Sequence, residues 1–205
     1  MKLKRFKSIK DQHFNTNSKS NITLVTGLSG SGKSYLSKEL AKNNNASIFQ
    51  PEWLKHSKHT SEEFKPLLDS FIKLHNIQDY VSNKWNNSKT EDENELFKKY
   101  INLFILYFFE NIDPDKNYII EGLQLFTLID HEIIKDYPII IKGTSSIKSL
   151  KNRLKRDYQK RKNENLKVKI KFFIRVIKES KLYQFKHRKT LNKFIEKYEK
   201  KGTTL

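Results

Sequence analysis

The sequence predicts an α/β fold, a parallel sheet flanked by helices, and three observations carry that expectation. Short apolar, β-branched runs at 21–26, 46–49, 117–121 and 138–142 alternate with longer stretches of helical spacing. Strands alternating with helices make a parallel sheet covered on its faces. A glycine-rich turn, Gly27-Leu28-Ser29-Gly30-Ser31-Gly32-Lys33-Ser34, joins the first of these strands to the first helix. Finally, 14 Phe and 9 Tyr supply bulk for a core in a chain that is otherwise polar, 36% hydrophobic and 31% charged. At 205 residues the chain suits one such domain with appendages.

Taken in order, residues 1–20 read as a basic and polar lead-in, with Ser8 to Ser20 rich in Asn, Ser and Thr. Asn21–Thr26 is a buried strand ending at Gly27. Lys33–Asn43 is a helix with Tyr35, Leu36, Leu40 and Ala41 apolar, and Ala46–Phe49 is a second strand stopped by Pro51. From Glu52 to Ile112 the pattern is mostly helical. Phe64, Leu67, Leu68, Phe71, Ile72 and Leu74 recur three and four apart, and a second block spans Leu96–Phe109, with polar Asn83–Glu95 looped between them. Asp113-Pro114-Asp115 turns the chain into a strand at Asn117–Glu121, and Pro138–Lys142 is the fourth strand. Beyond Gly143 only helix or coil is expected, at Ser145–Arg161, Val168–Leu182 and Leu191–Glu199. The core thus spans 21–147, with a lid and basic tail at 148–205.

Composition excludes some chemistry. There is no Cys, so disulfides, thiolate metal sites and Cys nucleophiles are out. The most apolar run, Ile101–Phe109, is nine residues, whereas a membrane span needs about 20; it reads as a buried helix segment. No apolar region follows the basic N-terminus, so a cytoplasmic protein is expected. The net charge of +18 is uneven: residues 148–205 hold 21 Lys/Arg against five Asp/Glu, while 21–147 hold 14 against 17. A basic quarter of this kind attracts polyphosphates or nucleic acid, although the same lysines also fit solvated helix faces.

The turn at Gly27–Ser34 matches the pattern Gly-x4-Gly-Lys-Ser. Its glycines let backbone N–H groups wrap phosphate oxygens closely, and the helix that follows adds its positive end. Lys33 would reach the β- and γ-phosphates of a nucleoside triphosphate, and Ser34 would offer a hydroxyl to Mg²⁺. Gly27, Leu28, Ser29, Gly30, Ser31, Gly32, Lys33 and Ser34 are therefore the expected nucleotide contacts.

With that loop in place, the chain resembles the P-loop kinases of small molecules, the superfamily of nucleoside, nucleotide and gluconate kinases and zeta-toxin-like enzymes. The resemblance covers residues 21–161. It rests on the loop, on Tyr-Ile-Ile-Glu-Gly-Leu-Gln at 118–124, on the strand at 138–142 and on the arginine-bearing helix after it. It implies that Glu121 is the acidic strand-end residue that holds the Mg²⁺ shell or positions an acceptor hydroxyl. Gln124 would face the substrate cleft. Arg153, Arg156 and Arg161 fall on the helix into the lid, with Arg156 and Arg153 the preferred pair for gripping phosphate oxygens. Many such kinases carry an Asp after the second strand; here Phe49-Gln50-Pro51-Glu52-Trp53 has none, and Glu52 is the carboxylate that would act on the acceptor. Trp53, His56 and Trp85 are candidate lining residues, with core packing the alternative for the aromatics.

The expectation is an ATP- and Mg²⁺-dependent kinase acting on a small hydroxyl- or phosphate-bearing acceptor. The alternative is a nucleic-acid-associated enzyme, a polynucleotide 5′-kinase or a DNA/RNA-linked ATPase, using the basic region where Phe172, Phe173, Tyr183 and Phe185 interleave with lysines. Against that, Phe172, Phe173, Val176 and Ile177 have the spacing of a packing face. A regulatory nucleotide-binding protein with little turnover is a third possibility.

Overall fold

The computed structural model describes residues 10–14, 21–81 and 91–202. Its centre is a five-stranded, mostly parallel sheet in the order β1-β5-β2-β4-β3. The strands are β1 (Gln12–Phe14), β2 (Ile22–Gly27), β3 (Ala46–Phe49), β4 (Asn117–Glu121) and β5 (Ile139–Lys142). The four expected strands are present and parallel, with β2 between β4 and β5. The unexpected one is β1, which lies inside the stretch read as a loop and pairs antiparallel with the edge of β5. Asp11 secures it, its carboxylate accepting from the Lys142 ammonium and, at 2.8 Å, from the Gly143 amide.

The helices are α1 (Lys33–Asn44), α2 (Lys65–His75), α3 (Glu91–Asn111), α4 (Gln124–Thr127), α5 (His131–Ile134), α6 (Ser146–Lys160) and α7 (Leu166–Gly202). Asn45 and Asn76 end α1 and α2 in left-handed conformations, which short polar side chains tolerate best after glycine. Ser145 starts α6 by accepting from the Lys148 amide.

Four expectations need correction. Residues 51–64 are three short 3₁₀ turns rather than regular helix, because Pro51 and successive backbone turns interrupt the ladder. The polar loop expected at 83–95 is helix, α3, from Glu91 on; 82–90 lie outside the described residues. The two separate helices expected beyond residue 166 are one continuous helix of 37 residues. No glycine or proline interrupts 166–201, so nothing in the backbone breaks it. Two short helices, α4 and α5, were not expected at all.

The core is aromatic where β3 meets the following turn. The Phe49 ring lies 4.0 Å from that of Phe108 and 5.6 Å, edge-on, from that of Trp53, with Phe64 and Phe104 completing the cluster. Ile101, Phe104, Ile105 and Phe108 form the buried stripe of α3. The second half of α7 docks on the core through Leu191, Phe194, Ile195 and Tyr198, whose hydroxyl donates to the Ile134 carbonyl at 2.9 Å. In its first half Val176 is buried, Phe172 and Phe173 half-buried, and Ile177, expected on the packing face, is exposed with Leu166, Ile170 and Ile174. Among the described residues no helix is long and apolar enough to cross a membrane.

Candidate functional site

The adjacent strands β2 and β4 have connections leaving in opposite directions: β2 through α1 to β3 on the far side of β4, and β4 through α4 and α5 to β5 on the far side of β2. In open α/β sheets such a reversal opens a crevice outside the carboxyl ends of the strands. The glycine-rich loop sits there. Register places Glu121 beside Val25 and Lys142 beside Gly27, so the last residues of β4 and β5 flank the loop on either side.

The loop's shape depends on glycine at two points. Gly30 has φ +79°, and a Cβ there would lie 2.5 Å from the Ser149 carbonyl oxygen and 3.1 Å from Arg153 Cγ. Gly32 has φ +92° and caps α1 with no side-chain hydrogen bond. The first amides of α1 are therefore not satisfied by a cap residue. They are a source of backbone donors and partial positive charge at the mouth of the loop.

Lys33 and Ser34 open α1. Ser34 Oγ donates to Glu121 Oε1 at 2.6 Å, and Gln50 Nε2 donates to the other oxygen, Oε2, at 3.1 Å. The carboxylate of Glu121, 4% exposed, is held through both oxygens, by Ser34 in the first turn of α1 and by Gln50 just past β3. Behind it, Thr26 Oγ1 donates to the Gly122 carbonyl at 2.7 Å, and the Gly122 amide donates to Val25 at 3.1 Å, so β4 stays paired to β2 past its last strand residue. Burial lowers the pKa of the Lys33 ammonium below the ordinary lysine value. The carboxylates of Glu121 and Glu52 pull it back up, and the nearby Arg156 reinforces the lowering.

One turn beyond β3, Glu52 accepts a long hydrogen bond, 3.4 Å, from Gln124 Nε2 on α4. Gln124 Oε1 is buried with no hydrogen-bond partner. Half-buried His56 stands nearby; burial pushes its pKa down, with Glu52 opposing the shift. Trp53, a candidate lining residue, belongs to the aromatic core instead, at 6% exposure. Trp85 lies outside the described residues.

The opposite wall is α6. The Ser149 hydroxyl donates to the Ser29 carbonyl, and Asn152 Nδ2 donates to the Gly30 carbonyl at 2.9 Å. Arg153 runs against Gly30, and Arg156 lies close enough to Lys33 to affect its charge. Arg161 goes elsewhere: it is paired to Glu164 at 2.6 and 2.8 Å, with its guanidinium 4.1 Å from the centre of the Phe172 ring. Of the three lid candidates, the structure brings Arg153 and Arg156 to the loop and commits Arg161 to the α6–α7 junction.

The residues passed over in the sequence are Gln50, Thr26, Ser149 and Asn152. For the last two a signal existed: Ser149, Asn152, Arg153 and Arg156 are spaced three, four and seven apart, one face of a helix. Gln50 had none, because only the folded register carries it to Glu121.

Chemically, the loop and α6 converge three cations, Lys33, Arg153 and Arg156, where the start of α1 also points its positive end. The other side carries two carboxylates and two amides. Such a site can take a multiply charged anion against its cationic wall. No protein-family model matches the chain, and no curated protein matches it.

Proposed function

We propose that this chain is a P-loop kinase that binds ATP at Gly27–Ser34 and transfers its γ-phosphoryl group to a small acceptor. The observation that carries the reading is the bond from Ser34 to Glu121. It puts the hydroxyl that ends the Gly-x4-Gly-Lys-Ser pattern against a buried carboxylate at the end of the neighbouring parallel strand.

The fit to Mg²⁺ lies in the chemistry of that pair. Hydroxyl and carboxylate are the hard oxygen donors this ion takes, and it is usually held by one or two such groups together with substrate phosphates. Among the described residues no group of three or more His, Asp or Glu could hold a metal ion without such help. Ser34 and Glu121 would hold the ion, which when bound would neutralise phosphate charge. The chain's own residues supply the rest. Backbone amides of the loop bind and orient the phosphates, and Lys33, Arg153 and Arg156 offset the negative charge that spreads over the transferring group. Gln50 keeps Glu121 from turning.

The alternative through nucleic acid finds less support. The half-buried rings of Phe172 and Phe173 are engaged with Arg161, just past α6, and Tyr158 on α6, so these two do not offer free stacking faces. Incubation with γ-labelled ATP, Mg²⁺ and separate sets of small acceptors and DNA 5′-ends tests both. Label on a small acceptor supports the proposal. Label confined to DNA ends, or hydrolysis with no acceptor labelled, refutes it.

A further inference from the structure

Building on the kinase reading, we infer that the acceptor is a neutral hydroxyl compound rather than a phosphate ester, with Glu52 receiving its proton and Gln124 orienting it. The two walls of the crevice differ in charge. The donor side is cationic, made by Lys33 of α1 and Arg153 and Arg156 of α6. The acceptor side is built by the turn after β3 and by α4, with Gln50 bonded to Glu121, Gln124 to Glu52, and His56 near Glu52.

A phosphorylated acceptor would bring about two further negative charges next to Glu52 and Glu121. Recognition of such a group calls for arginine forks or an equivalent cluster of donors. The stretch from Asn21 to Ser146, which supplies the described residues of the acceptor side, contains no arginine; the chain's arginines are Arg5 and those from Arg153 onward. Those at the crevice, Arg153 and Arg156, stand on the donor wall. The cations of the acceptor turn are placed otherwise: Lys55 lies 5.5 Å from the centre of the Phe97 ring, and Lys58 is exposed on the next turn.

The same wall suits a hydroxyl. Gln124 Nε2, 3.4 Å from the Glu52 carboxylate, can donate to an alcohol oxygen held beside it. The same amide group steadies Glu52. In the transfer, the acceptor oxygen forms a bond to the γ-phosphorus as the bond from that phosphorus to the β,γ-bridging oxygen breaks. The electron pair leaves with ADP, and the hydroxyl proton passes to the Glu52 carboxylate.

Two measurements test this separately from the kinase reading. Calorimetry with a non-hydrolysable ATP analogue and Mg²⁺ reports on the donor side, and failure to bind would count against the kinase itself. With binding established, γ-labelled ATP is offered with matched pairs: nucleosides and their 5′-monophosphates, hexoses and amino sugars and their phosphates. Label is expected on a neutral member and on none of the phosphorylated partners. Glu52→Gln is expected to lower kcat for that acceptor about 100-fold or more, the range for a positioned base, and to leave analogue affinity within about twofold. Gln124→Leu should raise the acceptor KM. Label on a phosphate ester, label on no neutral compound, or an unchanged kcat in Glu52→Gln overturns the assignment.

Discussion

Asn152 donates a 2.9 Å hydrogen bond to the Gly30 carbonyl, tying the arginine-bearing helix α6 directly to the backbone of the glycine-rich loop. Ser149 does the same to Ser29 one turn earlier. Arg153 and Arg156 follow on the same helical face, so loop and arginines form one assembly before any ligand arrives. Holding Arg156 near Lys33 costs free energy through like-charge repulsion. Glu121 and Glu52 offset part of that cost at Lys33, and an anion bound between Lys33 and Arg156 would offset more.

Breaking this tie gives the first prediction. Asn152→Ala is expected to lower stability by about 0.5–1.5 kcal/mol, the net worth of one hydrogen bond. It should also weaken binding of an ATP analogue more than Lys151→Ala, an exposed neighbour. Denaturant unfolding and calorimetry on both variants check this; equal effects would mean the contact does not position the arginines.

Lys33→Ala should reduce analogue affinity at least 10-fold while leaving the far-ultraviolet circular dichroism spectrum unchanged. Titration calorimetry measures the loss. Retained affinity would remove the loop from the binding site.

Gly30 and Gly32 should separate cleanly. Both have positive φ, so alanine at either costs about 1–2 kcal/mol of backbone strain. A Cβ at Gly32 meets nothing within 4 Å, whereas at Gly30 it would strike the Ser149 carbonyl. Gly30→Ala is therefore expected to be the less stable of the two by thermal unfolding.

The pH dependence follows from Lys33. Its pKa is lowered, so its proton leaves at a lower pH than that of an ordinary lysine, and anion affinity should fall as pH rises through that region. Arg156→Gln removes a like charge that contributes to the lowering. The fall should then move to higher pH even though affinity at neutral pH is weaker. Calorimetry between pH 7 and 10 on the two proteins reads both effects.

Much of this was legible before folding, for physical reasons. Ile119 and Ile120 announce β4 because a buried parallel strand must be apolar on both faces, and Lys33-Ser34 mark the start of α1 through the glycine that precedes them. β1 was not legible: Gln12, His13 and Phe14 form an edge strand, where one neighbour supplies the pairing and no apolar run is needed. The α7 helix was legible in type but not in length, since its packing face drifts from α6 to the core along its course. In the site, Glu121 and the loop could be read because each sits at the end of a patterned element. Gln124 could be placed at the cleft by resemblance but not paired with Glu52, and Gln50 could not be read at all, since their partners lie 72 and 71 residues away and only the fold joins them.

The strand order also bears on how the chain comes together during synthesis. β2 lies at the centre of the sheet, yet its two neighbours begin at Asn117 and Ile139, more than 90 residues further along. A ribosome therefore releases the middle of the sheet long before either side exists, and β1 waits longer still for β5. Closing such distant pairings is slow, and unpaired apolar strands are open to aggregation in the interval. The Gly27–Ser34 loop acquires its flanking carboxylate and arginines only once Glu121, Arg153 and Arg156, all made later, have emerged.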